Sequence, residues 1–214
     1  MTGGGLRAGP VAAAIRAHRI VAVLRRVEPR GRLLAIVDEL VDAGVRAFEI
    51  TLDSAAAADD LASVRDHLSG RGGAFLVGAG TILRREQLDT ARAAGADFGV
   101  APVLDLELVR AAAGDGFPFV PGAMTPSEIA AAWNAGATFV KLFPASAVGP
   151  QLVRELRGPL PEVELIPTGG VDASNAAAFL EAGAVAVGIG GAFMRATPAE
   201  RRELVHSVIG AGGS

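Results

Sequence analysis

A single amine stands out among the residues that could do chemistry. Of the 20 basic residues, 19 are arginine and one, Lys141, is lysine. It stands in Thr138-Phe139-Val140-Lys141-Leu142-Phe143-Pro144, an apolar run where a dry ammonium is costly. A snorkelling or ion-paired cation could be arginine as well as lysine, but a guanidinium stays protonated and forms no imine. A desolvated lysine can shed its proton and attack a carbonyl. Residue type and placement therefore point to Schiff-base chemistry, with a structural lysine as the alternative.

A second candidate is Glu49, in Arg46-Ala47-Phe48-Glu49-Ile50-Thr51-Leu52. Strand alternation puts Ala47, Glu49 and Thr51 on one face and Phe48, Ile50 and Leu52 on the other. The bulky face suits packing against helices, so Glu49 and Thr51 are expected to point into an enclosed interior. A carboxylate there needs a partner, and Lys141 is the obvious one. The pair reads either as an internal salt bridge or as an amine beside its general acid/base.

Three glycine clusters complete the set. Thr168-Gly169-Gly170 and Gly188-Ile189-Gly190-Gly191 each end an apolar run near the C-terminus, where backbone N–H groups can approach a phosphate. Gly78-Ala79-Gly80-Thr81 reads as a loop holding a small carboxylate, or as a turn with Thr81 capping a helix that begins near Leu83. Arg25 leaves the first apolar run and suits bidentate anion contact, whereas its neighbour Arg26 reads as solvated. His18, His67 and His206 are scattered, and there is no cysteine. No metal site, thiolate nucleophile or cofactor is expected. Trp133, at helical spacing from Ile129, reads as packing.

The elements that must position these groups alternate regularly. Eight short apolar runs read as buried parallel strands: 20–24, 46–51, 74–78, 97–101, 117–121, 138–143, 163–167 and 185–189. The stretches between them read as helices. Leu33, Ile36, Val37, Leu40 and Val41 form one apolar stripe after Pro29. Thr125-Pro126-Ser127-Glu128 is a capping box, Ser174-Asn175 opens another helix, and Thr197-Pro198-Ala199-Glu200 opens the last. Ala-Gly pairs at 43–44, 94–95, 135–136 and 182–183 read as helix stops. Eight β-then-α units in 214 residues predict an α/β fold, a single-domain (β/α)8 TIM barrel spanning 1–214, with loose ends at 1–5 and 210–214. A doubly wound sheet is the alternative, but Leu24-Arg25-Arg26-Val27-Glu28 replaces the glycine-rich fingerprint expected after its first strand.

Composition narrows the function classes. Half the residues are hydrophobic and the net charge is −3, which predicts a packed core and no nucleic-acid partner. No run of 18 apolar residues occurs, and Met1 to Arg7 lacks the apolar core of a signal peptide, so a cytoplasmic protein without a membrane partner is expected.

Five motifs then carry a resemblance. Phe48-Glu49-Ile50-Thr51-Leu52, Gly78-Ala79-Gly80-Thr81, Pro121-Gly122, Val140-Lys141-Leu142-Phe143-Pro144-Ala145 and Pro167-Thr168-Gly169-Gly170-Val171 resemble, in order and spacing, the KDPG/KHG aldolases. These act on 2-dehydro-3-deoxy-phosphogluconate and 4-hydroxy-2-oxoglutarate. The likeness runs from about Ile20 to Met194. It implies a metal-free class I aldolase on a TIM barrel, a homotrimer acting on a small 2-oxo acid. By position, Lys141 matches the Schiff-base lysine and Glu49 the proton-transfer carboxylate. Thr81 and Arg25 match substrate contacts, with Thr51, Pro102 and Phe143 as further substrate-binding candidates. Thr168, Gly169, Gly170, Gly190 and Gly191 are the candidates for phosphate. Two positions depart from the pattern: Asp53 replaces an arginine that some members carry, and Gly191 replaces the usual serine. At Asp53 and at Pro144-Ala145-Ser146-Ala147-Val148-Gly149-Pro150-Gln151 the chain looks like the galactonate-series aldolases, which makes that substrate the alternative. A phosphosugar isomerase or epimerase, or a barrel that only binds a phosphorylated metabolite, stays open on the residues alone.

Overall fold

The computed structural model describes residues 3–210. The chain runs α1 (Gly3–Arg7), α2 (Pro10–His18), β1 (Ile20–Leu24), α3 (Arg30–Ala43), β2 (Ala47–Thr51), α4 (Ala57–Ser69), β3 (Leu76–Gly80) and α5 (Arg85–Ala93). It continues with β4 (Gly99–Val100), α6 (Leu106–Gly114), β5 (Phe119–Val120), β6 (Gly122–Ala123), α7 (Pro126–Asn134), β7 (Val140–Leu142) and α8 (Gly149–Leu156). The last elements are β8 (Leu165–Pro167), α9 (Ala176–Glu181), β9 (Val187–Ile189), α10 (Gly191–Arg195) and α11 (Pro198–Gly210).

All pairings are parallel, in the orders β5-β4-β3-β2-β1-β9 and β6-β7-β8. β5 and β6 are one strand interrupted at Pro121, which has no N–H for the ladder but accepts from Lys141 N–H at 2.9 Å. The bridge Thr168↔Gly188 and the Val185 N–H to Leu165 carbonyl bond (3.1 Å) join β8 to β9. The two sheets thus close into the eight-stranded (β/α)8 barrel that the alternation predicts. One strand is displaced from expectation. β3 starts two residues later than the apolar run at 74–78, so Gly78 and Gly80 lie inside it rather than in a loop after it.

Alternation sorts the side chains. Outward-facing Phe48, Ile50 and Val77 join the helix-packed layer with the α3 stripe Leu33, Ile36, Val37, Leu40 and Val41. Burying each residue of that stripe contributes about 1.5–3 kcal/mol. Inward-facing Val21, Phe98, Val120, Phe139 and Ile166 fill the lower barrel, and Ala12 and Ile15 of α2 pack into that layer. The polar inward residues Glu49, Lys141 and Thr168 lie one layer higher. The TIM architecture presents that end to its βα loops.

The predicted capping box at Thr125 forms, and the start of the last helix, read only as a helix opening, closes in the same way. Thr125 N–H donates to Glu128 Oε2 at 2.8 Å, and Thr197 N–H to Glu200 Oε2 at 2.7 Å. Arg201 is buried, donates to the Phe193 carbonyl at 2.8 Å and pairs with Glu39 at 2.5 Å, which ties α10 and α11 to α3. The sequence leads one to expect loose ends at 1–5 and 210–214. Gly3–Gly5 lie in α1 and Gly210 closes α11, while positions 1–2 and 211–214 lie outside the described residues.

Candidate active site

Lys141 sits at the middle of β7, in register with Gly122 of β6 and Ile166 of β8. Glu49 sits on β2, in register with Val23 of β1 and Gly78 of β3. The two side chains meet across the barrel. Lys141 is 6% and Glu49 3% exposed, and Lys141 Nζ lies 3.6 Å from Glu49 Oε2. That separation is ion pairing without a strong hydrogen bond, close enough for a proton to pass directly or through one water. The Phe143 ring centroid is 5.4 Å from Nζ and offers its π-face to the cation.

Glycine makes the room for this pair. A Cβ on Gly80 would collide with the Glu49 carboxyl, and one on Gly78 would come within 2.5 Å of the Phe98 ring. The Gly78-Ala79-Gly80 segment is therefore strand rather than loop, the wall against which Glu49 rests. Thr81 caps no helix either, since α5 begins at Arg85 with Arg84 at its N-cap position. It has φ +59°, a strained conformation for a β-branched residue that costs on the order of 1–3 kcal/mol. Held there, its hydroxyl accepts from Arg25 Nη2 at 3.2 Å.

Asp53 organises the same edge of the mouth. It lies 3.4 Å from Arg25 Nη1 and 3.3 Å from Arg26 Nε, and accepts from the Thr51 hydroxyl at 2.8 Å. Arg26 is thus exposed but paired, not merely solvated. Thr51 points inward as predicted, yet its hydroxyl is spent on Asp53.

A cavity of about 480 Å³ opens above Lys141, a size suited to a small ligand. Of the predicted site residues, Arg25, Lys141, Phe143, Thr168, Gly169, Gly170, Gly190 and Gly191 line it. Glu49 reaches Lys141 from a small apolar void below, bounded by Val21, Phe98 and Val120. Thr51, Thr81 and Pro102 do not line the cavity; Pro102 packs its carbonyl against Gly122. Gly169 and Gly170 are both left-handed, with φ +86° and +81°, and Asn175 Nδ2 holds the Gly170 carbonyl at 2.9 Å. The amide N–H groups of Gly169, Gly170 and Gly190 find no protein acceptor among the described residues.

Two charged residues on this wall, Asp172 and Arg195, were not singled out by sequence. The Asp172 carboxylate accepts from the Ser174 hydroxyl at 2.6 Å and from Ser174 N–H at 2.9 Å. These bonds, with a smaller contribution from the Arg195 charge, hold it below the usual carboxylate range. The one available signal for Arg195 was its position four residues after Gly191. None of the three histidines lines the cavity, and among the described residues no three metal-ligating side chains come together. Among the described residues no helix is long and apolar enough to cross a membrane.

A family model described as KDPG and KHG aldolase matches residues 11–208. The chain belongs to that family. It is 36% identical over 178 residues to the 2-dehydro-3-deoxy-6-phosphogalactonate aldolase of Escherichia coli K12, covering 83% of this chain and 85% of that one. A solved structure described as native KDPGal superposes with a TM-score of 0.80 at 32% identity, covering 90% of this chain and 93% of the other. The KDPG aldolase of Legionella pneumophila, solved with pyruvate captured as a covalent carbinolamine, superposes at 0.79 with 25% identity, covering 94% and 98%. This family member is an aldolase, a carbon–carbon lyase. That sets aside the isomerase, the epimerase and the barrel that only binds.

Proposed function

We propose that the protein cleaves 2-dehydro-3-deoxy-6-phosphogluconate, through an imine on Lys141, to pyruvate and glyceraldehyde 3-phosphate. The observation that carries this is one buried amine, 3.6 Å from a buried carboxylate, opening on a cavity whose far wall is glycine-rich backbone. The free amine of Lys141 attacks C2 of the 2-oxo acid, and loss of water leaves an iminium. Glu49 takes the C4 hydroxyl proton as the C3–C4 bond breaks. The bond's electron pair moves into the iminium, giving the enamine of pyruvate and releasing the aldehyde. Glu49 then returns the proton to C3, and water hydrolyses the imine. Arg25, steadied by Thr81 and Asp53, orients the chain of the substrate at the mouth. The Gly169–Gly170 and Gly190–Gly191 amides take its distal phosphate.

A second reading, the galactonate-series substrate, is favoured by two observations: the 36% identical relative is a phosphogalactonate aldolase, and Asp53 stands where an arginine would otherwise enter the mouth. A lactate dehydrogenase-coupled assay of pyruvate release separates them. Faster cleavage of the gluconate epimer supports the leading reading, faster cleavage of the galactonate epimer replaces it with the second, and no pyruvate from either overturns both. We further propose a cytoplasmic homotrimer. The exposed apolar residues Leu83, Val103 and Met124, which follow β3, β4 and β6, support self-association. Light scattering on the purified protein reads the trimer mass directly.

A further inference from the structure

Three cations line the cavity, and the aldol chemistry above uses only Lys141 and Arg25. Arg195 is left over. It closes α10 four residues after Gly191, so one helical turn brings its side chain back toward the Gly190–Gly191 loop. A Cβ on Gly191 would come within 2.9 Å of Arg195 Nη1 and 3.7 Å of Cζ. The guanidinium therefore occupies the space that a side chain at 191 would need. Among the described residues no carboxylate lies within 4.0 Å of it, and Asp172, on the same wall, is engaged by Ser174. An unpaired guanidinium thus stands beside the Gly190 N–H, which has no protein acceptor among the described residues.

We propose that Arg195 is the specificity-determining residue for a phosphate monoester, its guanidinium taking the distal dianion where Gly191 offers no hydroxyl. A planar guanidinium can donate two parallel N–H bonds to phosphate, and a dianion gains more from that charge than from one neutral hydroxyl. Glycine at 191 and arginine at 195 form one device, because a side chain at the first would push the second aside. The inference rests on the aldolase reading and adds what that reading lacks, a charged reason to prefer a phosphorylated substrate.

The test is the ratio of kcat/KM for the 6-phosphorylated and unphosphorylated 2-dehydro-3-deoxy acids. Losing charge-assisted bonds in Arg195→Ala should lower that preference about 10- to 100-fold, mostly through KM. Arg195→Lys, which keeps the charge, should retain most of it, and Gly191→Ser added to Arg195→Ala should restore part. Arg110→Ala, on the exposed face of α6, should leave it unchanged. A preference in Arg195→Ala within twofold of the parent overturns the inference. So does an equal fall in Arg110→Ala, or a parent with no preference at all. Borohydride trapping of pyruvate, which carries no phosphate, keeps the two ideas separate. A parent that traps no pyruvate overturns the aldolase reading and this inference with it. A parent that traps pyruvate, beside an Arg195→Ala of unchanged preference, overturns this inference alone.

Discussion

The cavity has two ends built on opposite principles. At the inner end the chemistry is carried by side chains on strands, Lys141 on β7 and Glu49 on β2, both nearly sealed from solvent and 3.6 Å apart. At the outer end the lining comes largely from glycine-rich loops after β8 and β9, with Asp172 and exposed Arg195 as the charged side chains. The inner end holds reacting atoms in a fixed geometry, which is where rigidity lowers a barrier. The outer end holds a group that does not react, where open, hydrated contacts suffice for orientation. Damage to the inner end should therefore appear in kcat and damage to the outer end in KM.

The sharpest way to break this contrast is Lys141→Arg, which keeps a cation but cannot form an imine. Cleavage should fall about 10⁴-fold or more while the thermal midpoint stays near that of the parent. Substantial cleavage would leave the amine without its role. Glu49→Gln comes next, with a fall of about 10²- to 10⁴-fold in kcat for loss of the acid/base. Pyruvate should still be trappable on Lys141 in that variant.

Gly80→Ala tests whether the strand wall matters as much as the acid it supports. The new methyl displaces the Glu49 carboxyl, so kcat should drop about 10²-fold although no catalytic group is removed. Overpacking should also cost about 1–3 kcal/mol in a denaturation experiment. At the mouth, Asp53→Asn loosens Arg25 and should raise KM several-fold with little change in kcat. A kcat effect equal to that of Glu49→Gln would erase the distinction between the two ends.

The smallest effect lies away from both ends. Glu128 is held below the usual carboxylate range by N–H donation from Thr125 and then from Met124, and Glu200 likewise by Thr197. Groups depressed in the folded state contribute stability that is present above their unfolded pKa and lost as pH falls through the folded one. Thermal stability should therefore decline on acidification through the carboxylate range. Glu128→Gln should flatten that decline while hardly changing aldol cleavage at neutral pH.

How much was legible in the sequence follows the same division. Lys141 and Glu49 were readable because each is anomalous in an apolar strand, and burial makes such anomalies costly unless they do something. The strand count, the α3 stripe, the Thr125 capping box and the helix start at Thr197 are readable because they are local or periodic. Gly80 is hard to place because glycine carries no side chain to report its face, so the apolar run starts the strand two residues early and leaves its wall reading as a loop. The left-handed conformation of Thr81 is imposed by tertiary contacts that no propensity anticipates. Asp53 stands out as a departure from the family pattern, but its clamp on Arg25 depends on the pairing of β1 with β2, which brings the ends of the two strands together. Arg195 was one arginine among 19 until the start of α10 placed it over Gly191.

The central claim is that the Lys141 amine condenses with a ketone, and the most direct measurement is covalent. The protein is incubated with pyruvate, reduced with borohydride, and followed by intact mass and peptide mapping. The account predicts one reduced pyruvate per chain, on the peptide that contains Lys141, and none in Lys141→Arg. An unmodified chain under conditions that label a control class I aldolase, or a label on any other residue, would contradict it.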